Sequence, residues 1–284
     1  MEALRASYGE SSSESDSESE PTATSDPTEL PINLPPPPLS LLHPRNSLGT
    51  FDYAVQSDPP NRVRSFPHVD GNFALHVYIP VIIPLTQRKE MALFLKRVAR
   101  LIPELHVVDV DIPLRDLIKD GQKFEQVVLG REFHVSLGRT VPIRVHQRDS
   151  MVGMLRQRLQ FHRRYWIDFT KWVVFTNDDY TRTFLSLEVT AGGLTEIKKQ
   201  IEAVNDAYRL HNLPEFYKDP RPHISIAWAV GDISDSLWKV IGEETKTHNT
   251  VGGLSHKRLC ACVFSGISCK IGNKTFDICK VLEE

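Results

Sequence analysis

The sequence lacks any run of 18 or more apolar residues, so it predicts no membrane-spanning helix. Its N-terminus lacks the basic and apolar stretches of a secretory signal, and neither a signal nor a transit peptide is expected. Cysteine is scarce and confined to the last 25 residues, whereas a disulfide framework would spread along the chain. The four cysteines are Cys260, Cys262, Cys269 and Cys279. These absences favour a soluble protein of a reducing compartment, the cytosol or the nucleus.

A strong net charge is also missing, because 34 Lys and Arg against 36 Asp and Glu give −2 over 284 residues. The charges are unevenly distributed. The first 50 residues carry eight acidic and two basic residues, a net charge of −6, which leaves +4 on the remaining 234. An acidic segment therefore masks a mildly basic body, and such a body is compatible with a polyanionic ligand.

Residues 1–45 offer little that could be buried in a core. The run from Ser11 to Glu20 holds no apolar residue, so burial cannot offset the entropy lost on ordering. Pro35 to Pro38 predict a polyproline II stretch, which could be a spacer or a ligand for a proline-binding domain, and the spacer is favoured. We therefore expect a disordered, acidic, Ser- and Pro-rich tail over residues 1–45 and a folded domain over residues 46–284.

From about Asn72 onward the pattern of apolar residues predicts both strands and helices. Residues 73–79 are rich in β-formers and end before Pro80, which predicts a strand, and residues 86–101 place apolar side chains at helical spacing. Further strands are predicted at about 105–112, 133–137, 171–176, 183–189, 223–228, 257–268 and 275–281. Further helices are predicted at about 146–163, 195–211 and 233–245. This mixture indicates an α+β fold.

One order of elements occurs twice. A strand, a helix and then a strand with the motif His-x-Ser is predicted with His134 and Ser136, and again with His223 and Ser225. The two histidines are 89 residues apart, which is too long a period for a solenoid and suits two packed lobes. We therefore expect an internal duplication.

The two motifs together have a chemistry that either one alone lacks. Side chains alternate between the faces of a strand, so the His and Ser of each motif share a face. Imidazole titrates near neutrality, so one histidine can act as a base while the other acts as an acid. Hydroxyls can donate hydrogen bonds to phosphate oxygens. Two such strands around one cleft suit an in-line attack on a phosphodiester without a metal.

Two other sets of residues do not indicate a site. The remaining histidines lack the strand context, and we interpret them as structural or surface residues. They are His43, His68, His76, His106, His146, His162, His211, His248 and His256. The cysteine spacing lacks the paired Cys-x2-Cys of many zinc sites, so buried structural thiols are favoured over a metal site.

With His134-Val-Ser136 and His223-Ile-Ser225, the sequence resembles the two-histidine (2H) phosphoesterase superfamily and, within it, the U6 snRNA phosphodiesterases. The stretches that carry the closer resemblance span about 200 residues and are His76-Val-Tyr-Ile-Pro80, Phe133-His-Val-Ser136, Thr181-Arg-Thr-Phe184, Leu187-Glu-Val-Thr190, Phe216-Tyr-Lys-Asp-Pro220, His223-Ile-Ser-Ile-Ala-Trp228 and Cys269-Lys-Ile-Gly-Asn-Lys274. The resemblance implies two pseudo-symmetric lobes, each an antiparallel sheet with helices, and an active-site cleft between them. It also implies a monomeric nuclear enzyme without metal or cofactor. Such an enzyme trims uridines and adenosines from the 3′ end of U6 snRNA in U6 maturation and splicing, and leaves a 2′,3′-cyclic or 3′ phosphate.

Carried over to this sequence, the resemblance implies that His134 and His223 are the catalytic acid and base. It implies that Ser136 and Ser225 bind the phosphate. The near symmetry of the two motifs leaves open which histidine is the base.

The resemblance also implies a nucleotide-binding set that comprises Tyr217, Asp178, Arg221, Val135 and Ile224. Tyr217 takes the place of a tyrosine that lies against the terminal nucleotide, and an aromatic ring near a phosphate can stack on a base. Asp178 stands where a neutral amide is expected to contact the uridine base. Basic residues near the motifs could line an RNA path, with Arg221 preferred because it lies two residues before His223. The basic residues considered are Arg131, Arg139, Arg144, Lys171, Arg182, Lys218 and Arg221.

Two alternative functions stay open at this point. One is a cyclic-nucleotide or 2′,5′-oligonucleotide phosphodiesterase of the same superfamily. The other is a catalytically silent RNA-binding module, although a binder would not need two groups that titrate near pH 7.

Overall fold

The computed structural model describes residues 69–249 and 258–281, and the predicted tail of residues 1–45 lies outside them. The strands in these two stretches are β1 (Asn72–Ile82), β2 (His106–Val107), β3 (Glu132–Ser136), β4 (Val141–Arg144), β5 (Trp166–Thr176), β6 (Arg182–Val189), β7 (His223–Val230), β8 (Cys260–Val263), β9 (Gly266–Ile271) and β10 (Lys274–Lys280). The α-helices are α1 (Leu85–Leu101), α2 (Leu114–Leu117), α3 (Gly121–Leu129), α4 (Arg148–Leu159), α5 (Leu194–Leu210) and α6 (Ser234–Asn249). A short 3-10 helix, Val145–Gln147, precedes α4.

The strands form two antiparallel sheets, as the resemblance implies. The first sheet has the order β10-β9-β1-β3, and β4 also pairs with β1. The second sheet has the order β2-β7-β6-β5-β8. Each sheet therefore contains one of the two His-x-Ser strands, β3 in the first and β7 in the second, and the expected α+β class is confirmed.

The pairing of the strands reproduces the duplication seen in the sequence. β1 precedes α1 and pairs with β3, and β6 precedes α5 and pairs with β7. Tyr78 lies opposite Ser136 in the first pair, and Ser186 lies opposite Ser225 in the second. The strand, helix and His-x-Ser strand of each repeat thus occupy corresponding positions in the two sheets.

The helix of each repeat packs toward the sheet of the other repeat. In α1, Phe94 stacks on Trp172 of β5 with ring centroids 4.6 Å apart, and Gln87 exchanges hydrogen bonds with the backbone of Ala261 in β8. In α5, the hydroxyl of Tyr208 donates to the carbonyl of Arg139, which follows β3. The apolar core is consequently shared between the two sheets.

Four predicted strands differ from those observed. The strand predicted over 171–176 begins earlier, at Trp166. The strand predicted over 105–112 is only His106–Val107, because Asp109 and Asp111 adopt positive φ angles of 66° and 58° that end the extended backbone. The first strand continues through Pro80 to Ile82 instead of ending there, and the strand predicted over 257–268 is divided into β8 and β9.

Three short elements were not predicted, namely α2, α3 and β4. Helix α3 has a clear N-cap, since the side chain of Asp120 accepts hydrogen bonds from the backbone N–H groups of Gln122 and Lys123. None of the helices in the described ranges is long and apolar enough to span a membrane.

Candidate active site

The alternation predicted for the two His-x-Ser strands is present in the structure. In β3, His134 and Ser136 are half-buried, whereas Phe133 and Val135 are fully buried on the other face, as is Leu137 directly after the strand.

In β7, His223 and Ser225 are half-buried and Ile224 and Ile226 are fully buried. The side chains of Val135 and Ile224, both predicted to bind nucleotide, therefore belong to the core.

The two strands meet where the first sheet approaches the second. The guanidinium of Arg131, which immediately precedes β3, donates to the carbonyl oxygen of Ser225 in β7 at 3.4 Å. The imidazoles of His134 and His223 are close enough for the charge of His134 to lower the pKa of His223. The structure therefore brings both predicted histidines and both predicted serines to one site.

His223 is held in one tautomer by the backbone. Its Nδ1 lies 2.7 Å from the carbonyl oxygen of Arg221, and because a carbonyl only accepts, Nδ1 carries the proton. In the neutral ring the lone pair is then on Nε2. The ring also stacks on Phe175 with a centroid distance of 4.2 Å. Burial lowers the pKa of His223, while the hydrogen bond to Arg221 and the charge of Glu188 oppose that shift.

His134 is also kept neutral by its surroundings. Burial is the largest cause that lowers the pKa of His134, and the nearby cations Arg131 and Lys270 lower it further. Asp109 acts in the opposite direction. Both imidazoles are therefore poised to accept a proton in the absence of a ligand. An anionic phosphate bound beside them would favour the protonated form of either ring.

His76 is a site residue that the sequence analysis missed. Its Nε2 lies 3.0 Å from Ser136 Oγ, its ring meets the ring of His134 edge-on at 4.9 Å, and it stacks on Tyr78 at 5.0 Å. Burial, followed by the charges of His134 and Lys270, lowers the pKa of His76 to about 3. The structure therefore places His76 beside the predicted site, a position that its interpretation as a structural or surface residue did not include. The alternation of His76 and Tyr78 on a strand that precedes the first His-x-Ser strand was the available signal.

The second repeat supports its motif differently. Ser186 is buried and its Oγ lies 3.2 Å from Ser225 Oγ. Glu188, opposite His223, accepts two hydrogen bonds from Arg221, at 2.5 and 2.8 Å. The guanidinium of Arg221 also lies over the ring of Phe175 at 4.7 Å. The structure thus places Arg221 beside the site, where its side chain is paired with a buried carboxylate.

Tyr217 and Asp178, which the resemblance assigns to nucleotide binding, are also brought together. The guanidinium of Arg139 lies 4.1 Å from the centre of the Tyr217 ring and forms an ion pair with Asp178 at 3.1 Å. The Tyr217 hydroxyl donates to Asp178 at 3.3 Å, and 46% of the Tyr217 surface is exposed. An exposed aromatic ring, a cation and an acceptor therefore form one cluster, which we call the Tyr217 cluster.

The other basic residues are distributed around the molecule. Arg131 pairs with Asp109 at 3.1 Å, and Arg182 lies over the ring of Trp228 at 5.1 Å. Lys171 lies 6.0 Å from the centre of the Trp238 ring in α6. Of the basic residues predicted to line an RNA path, Arg139 belongs to the Tyr217 cluster, and Arg131 and Arg221 adjoin the His-x-Ser site.

The four cysteines are buried free thiols, as expected of structural residues. Burial raises the pKa of the thiols of Cys260, Cys262 and Cys269 to about 12 each. Within the described ranges, no three or more His, Cys, Asp or Glu side chains converge as metal ligands would.

Comparisons with known proteins show the family and the fold of this chain. The model of one protein family, HVSL, described as an uncharacterised conserved protein, matches residues 35–279 of the chain. The chain is 31% identical to U6 snRNA phosphodiesterase 1 of Mus musculus over 218 residues, covering 76% of this chain and 72% of that protein. It is 33% identical to U6 snRNA phosphodiesterase 1 of Danio rerio over 221 residues, covering 76% and 69%. The solved structure of Kluyveromyces marxianus Usb1 with uridine monophosphate has the same fold, with a TM-score of 0.51 and 16% identity over 73% of this chain and 97% of that one.

Proposed function

Because the chain belongs to the HVSL family and is a homologue of the U6 snRNA phosphodiesterases, we propose that it trims the 3′ end of U6 snRNA as a 3′→5′ exonuclease. The enzyme is an RNA phosphodiesterase with a two-sheet 2H phosphoesterase fold. One structural observation carries the proposal. His134 and His223 each lie beside a serine on the same strand face, and their two strands meet where Arg131 donates to the carbonyl oxygen of Ser225.

The chemistry follows from this arrangement. One imidazole, in its neutral form, takes the proton from the 2′-hydroxyl of the penultimate ribose, and that oxygen attacks the adjacent phosphorus. The partner imidazole, in its protonated form, gives its proton to the 5′-oxygen of the departing nucleotide. The bond from phosphorus to that 5′-oxygen breaks, and the shortened RNA ends in a 2′,3′-cyclic phosphate.

Ser136 and Ser225 donate hydrogen bonds to the non-bridging phosphate oxygens in this proposal. Such donors stabilise charge that develops in the transition state, and their rigid placement avoids reorganisation during the reaction. Proton transfer and charge stabilisation are both supplied by side chains, so the proposed step needs no metal.

The Tyr217 cluster is proposed to hold the terminal nucleotide. The exposed Tyr217 ring can stack on a base, and Asp178 can accept a hydrogen bond from the N3–H of uracil. The substrate is then an oligouridine or adenosine tail at the 3′ end of U6 snRNA. We further propose that the enzyme acts as a monomer. We also propose that it acts in the nucleus, since U6 maturation belongs to splicing.

Purified protein incubated with a 3′-oligouridylated U6 RNA in EDTA tests the proposal. We expect stepwise shortening with 2′,3′-cyclic phosphate ends, read by mass spectrometry. A matched RNA whose penultimate nucleotide is 2′-deoxy keeps every phosphate but lacks the attacking oxygen, so it should bind and remain intact. Cleavage of the deoxy RNA at the normal rate would mean that water is the nucleophile.

The same assay separates the alternative functions. Cleavage of 2′,5′-linked oligonucleotides or of cyclic nucleotides in preference to the 3′-5′ RNA would favour another 2H phosphodiesterase. Binding of the RNA without any cleavage would favour a silent RNA-binding module.

A further inference from the structure

His76 lies beside both Ser136 and His134. It is on β1, two residues from Tyr78, which pairs with Ser136 across the strands. Its Nε2 lies 3.0 Å from Ser136 Oγ, so the ring contacts the hydroxyl that would bind phosphate. Its edge-on contact with His134, with centroids 4.9 Å apart, and its stacking on Tyr78 fix the orientation of the ring. The hydrogen bond therefore has a defined geometry before any substrate arrives.

A serine hydroxyl has one proton and two acceptor lone pairs, so the direction of this hydrogen bond decides what Ser136 offers a ligand. If Ser136 donated to His76, only lone pairs would face the phosphate, and they would repel its oxygens. If His76 donates, the proton of Ser136 stays available.

We propose that His76 is a positioning residue: its Nε2–H donates to Ser136 Oγ and leaves the hydroxyl proton of Ser136 for a non-bridging oxygen of the substrate phosphate. This role rests on the proposed function, in which Ser136 binds the phosphate. His76 acts through Ser136 and does not itself touch the substrate.

The surroundings of His76 suit this role. Burial and the neighbouring charges keep the pKa of His76 near 3, so the ring stays neutral and does not add a charge beside His134. The second repeat places a hydroxyl at the corresponding serine, because Oγ of the buried Ser186 lies 3.2 Å from Ser225 Oγ and either group can donate. Each phosphate-facing hydroxyl thus has another polar side chain within hydrogen-bonding distance.

A double-mutant cycle with His76 and Ser136 tests the proposal, with kcat and KM measured on the oligouridylated RNA. His76→Phe keeps a ring but removes the nitrogen, and we expect kcat to fall about 10- to 100-fold. This is at or below the loss of about 10²- to 10³-fold for a donor that contacts the transition state directly, because His76 acts through Ser136. In the Ser136→Ala background the same change should lower kcat by less than about threefold, since residues that act as a unit are non-additive. An equal loss in both backgrounds, or normal kcat in His76→Phe, would overturn the proposal.

His76→Gln is the matched conservative variant, because its side-chain amide can donate from a position near that of Nε2. It should retain a larger part of kcat than His76→Phe, whereas a purely structural role would favour the aromatic replacement. Thermal unfolding of each variant identifies any that fail to fold.

A spectroscopic measurement on the wild-type chain does not depend on turnover. Nitrogen-15 NMR of the histidine rings at pH 7 should show His76 with the proton on Nε2. A proton on Nδ1 alone would contradict the proposed hydrogen bond, even where a variant fails to fold. If the wild-type chain cleaves no RNA, the proposed function fails. If it cleaves RNA and His76→Phe is fully active, only this inference fails.

Discussion

At the scale of single residues, the two repeats hold equivalent histidines by unlike contacts. His223 is fixed by a backbone carbonyl at Nδ1 and by stacking on Phe175, whereas His134 is surrounded by His76, Tyr78 and the cation Arg131. Burial lowers the pKa of both, which favours two neutral rings in the free protein. A bound anionic phosphate favours the protonated form of the histidine that acts as the acid. The rate should fall at low pH, where the base is protonated, and at high pH, where the acid is neutral, which gives a bell-shaped pH profile.

His134→Ala and His223→Ala should each lower kcat/KM about 10²- to 10⁴-fold, the range for loss of general acid or base catalysis. The double variant should lose little more, because the two groups act in one step. Initial rates on oligouridylated RNA measure both effects. His146→Ala is the matched control, since His146 is exposed in the 3-10 helix and should leave the rate unchanged. Near-normal activity in either single variant would contradict the assignment of the pair.

At the scale of elements, the helix of each repeat packs toward the sheet of the other repeat, and in α5 this packing reaches the loop next to the site. The hydroxyl of the fully buried Tyr208 donates to the carbonyl of Arg139 at 3.1 Å, and the side chain of Arg139 lies over Tyr217. Gly138, just before Arg139, has little free space, because an added Cβ would lie 3.0 Å from the Tyr208 hydroxyl. Helix α5 of the second repeat therefore helps to position the loop that follows the first His-x-Ser strand.

Tyr208→Phe removes this hydrogen bond and leaves the ring in place. We expect the free energy of unfolding to fall by about 1–3 kcal/mol, the cost of a buried acceptor without a donor, and KM for RNA to rise. Tyr165→Phe is the matched control, because the Tyr165 hydroxyl donates to Gln200 at 2.9 Å. It should lose similar stability in urea unfolding, but KM should stay the same. An unchanged KM in Tyr208→Phe would show that the loop does not depend on this bond.

At the scale of the whole molecule, three half-buried imidazoles lie together at the site, next to the apolar core that the two sheets share. Burial is the largest cause that lowers the pKa of His76, His134 and His223 from the ordinary value of 6.5. The unfolded chain then binds more protons than the folded protein below about pH 7. The stabilisation from keeping these rings neutral is complete above pH 6.5 and is lost as the pH falls toward the folded-state pKa values.

We therefore expect the free energy of unfolding to decline from pH 7.5 to pH 5, by up to about 1.4 kcal/mol per pH unit for each buried histidine. Urea unfolding at several pH values measures the slope. His76→Gln cannot ionise at this position, so its stability should depend less steeply on pH than that of the wild-type chain. Equal slopes would mean that His76 is not kept neutral by burial.

The local pattern of residues in the sequence determined the strand faces of the two motifs and the order of the elements around them. The period of two residues along a strand depends only on backbone geometry, so His134 with Ser136 and His223 with Ser225 could be assigned to one face each from the sequence. The repeated order of strand, helix and His-x-Ser strand likewise indicated the duplication and the α+β class. These features depend on residues close together in the chain.

The tertiary structure decided the rest, because neighbours across strands are set by register and packing between distant segments. His76 reaches Ser136, 60 residues away, only because β1 pairs with β3, and Arg139 meets Tyr217 only through the folding of separate loops. The strand predicted over 105–112 ended early because Asp109 and Asp111 adopt positive φ angles that composition did not reveal. The two motifs could be predicted separately, whereas the side chains that support them depend on non-local contacts.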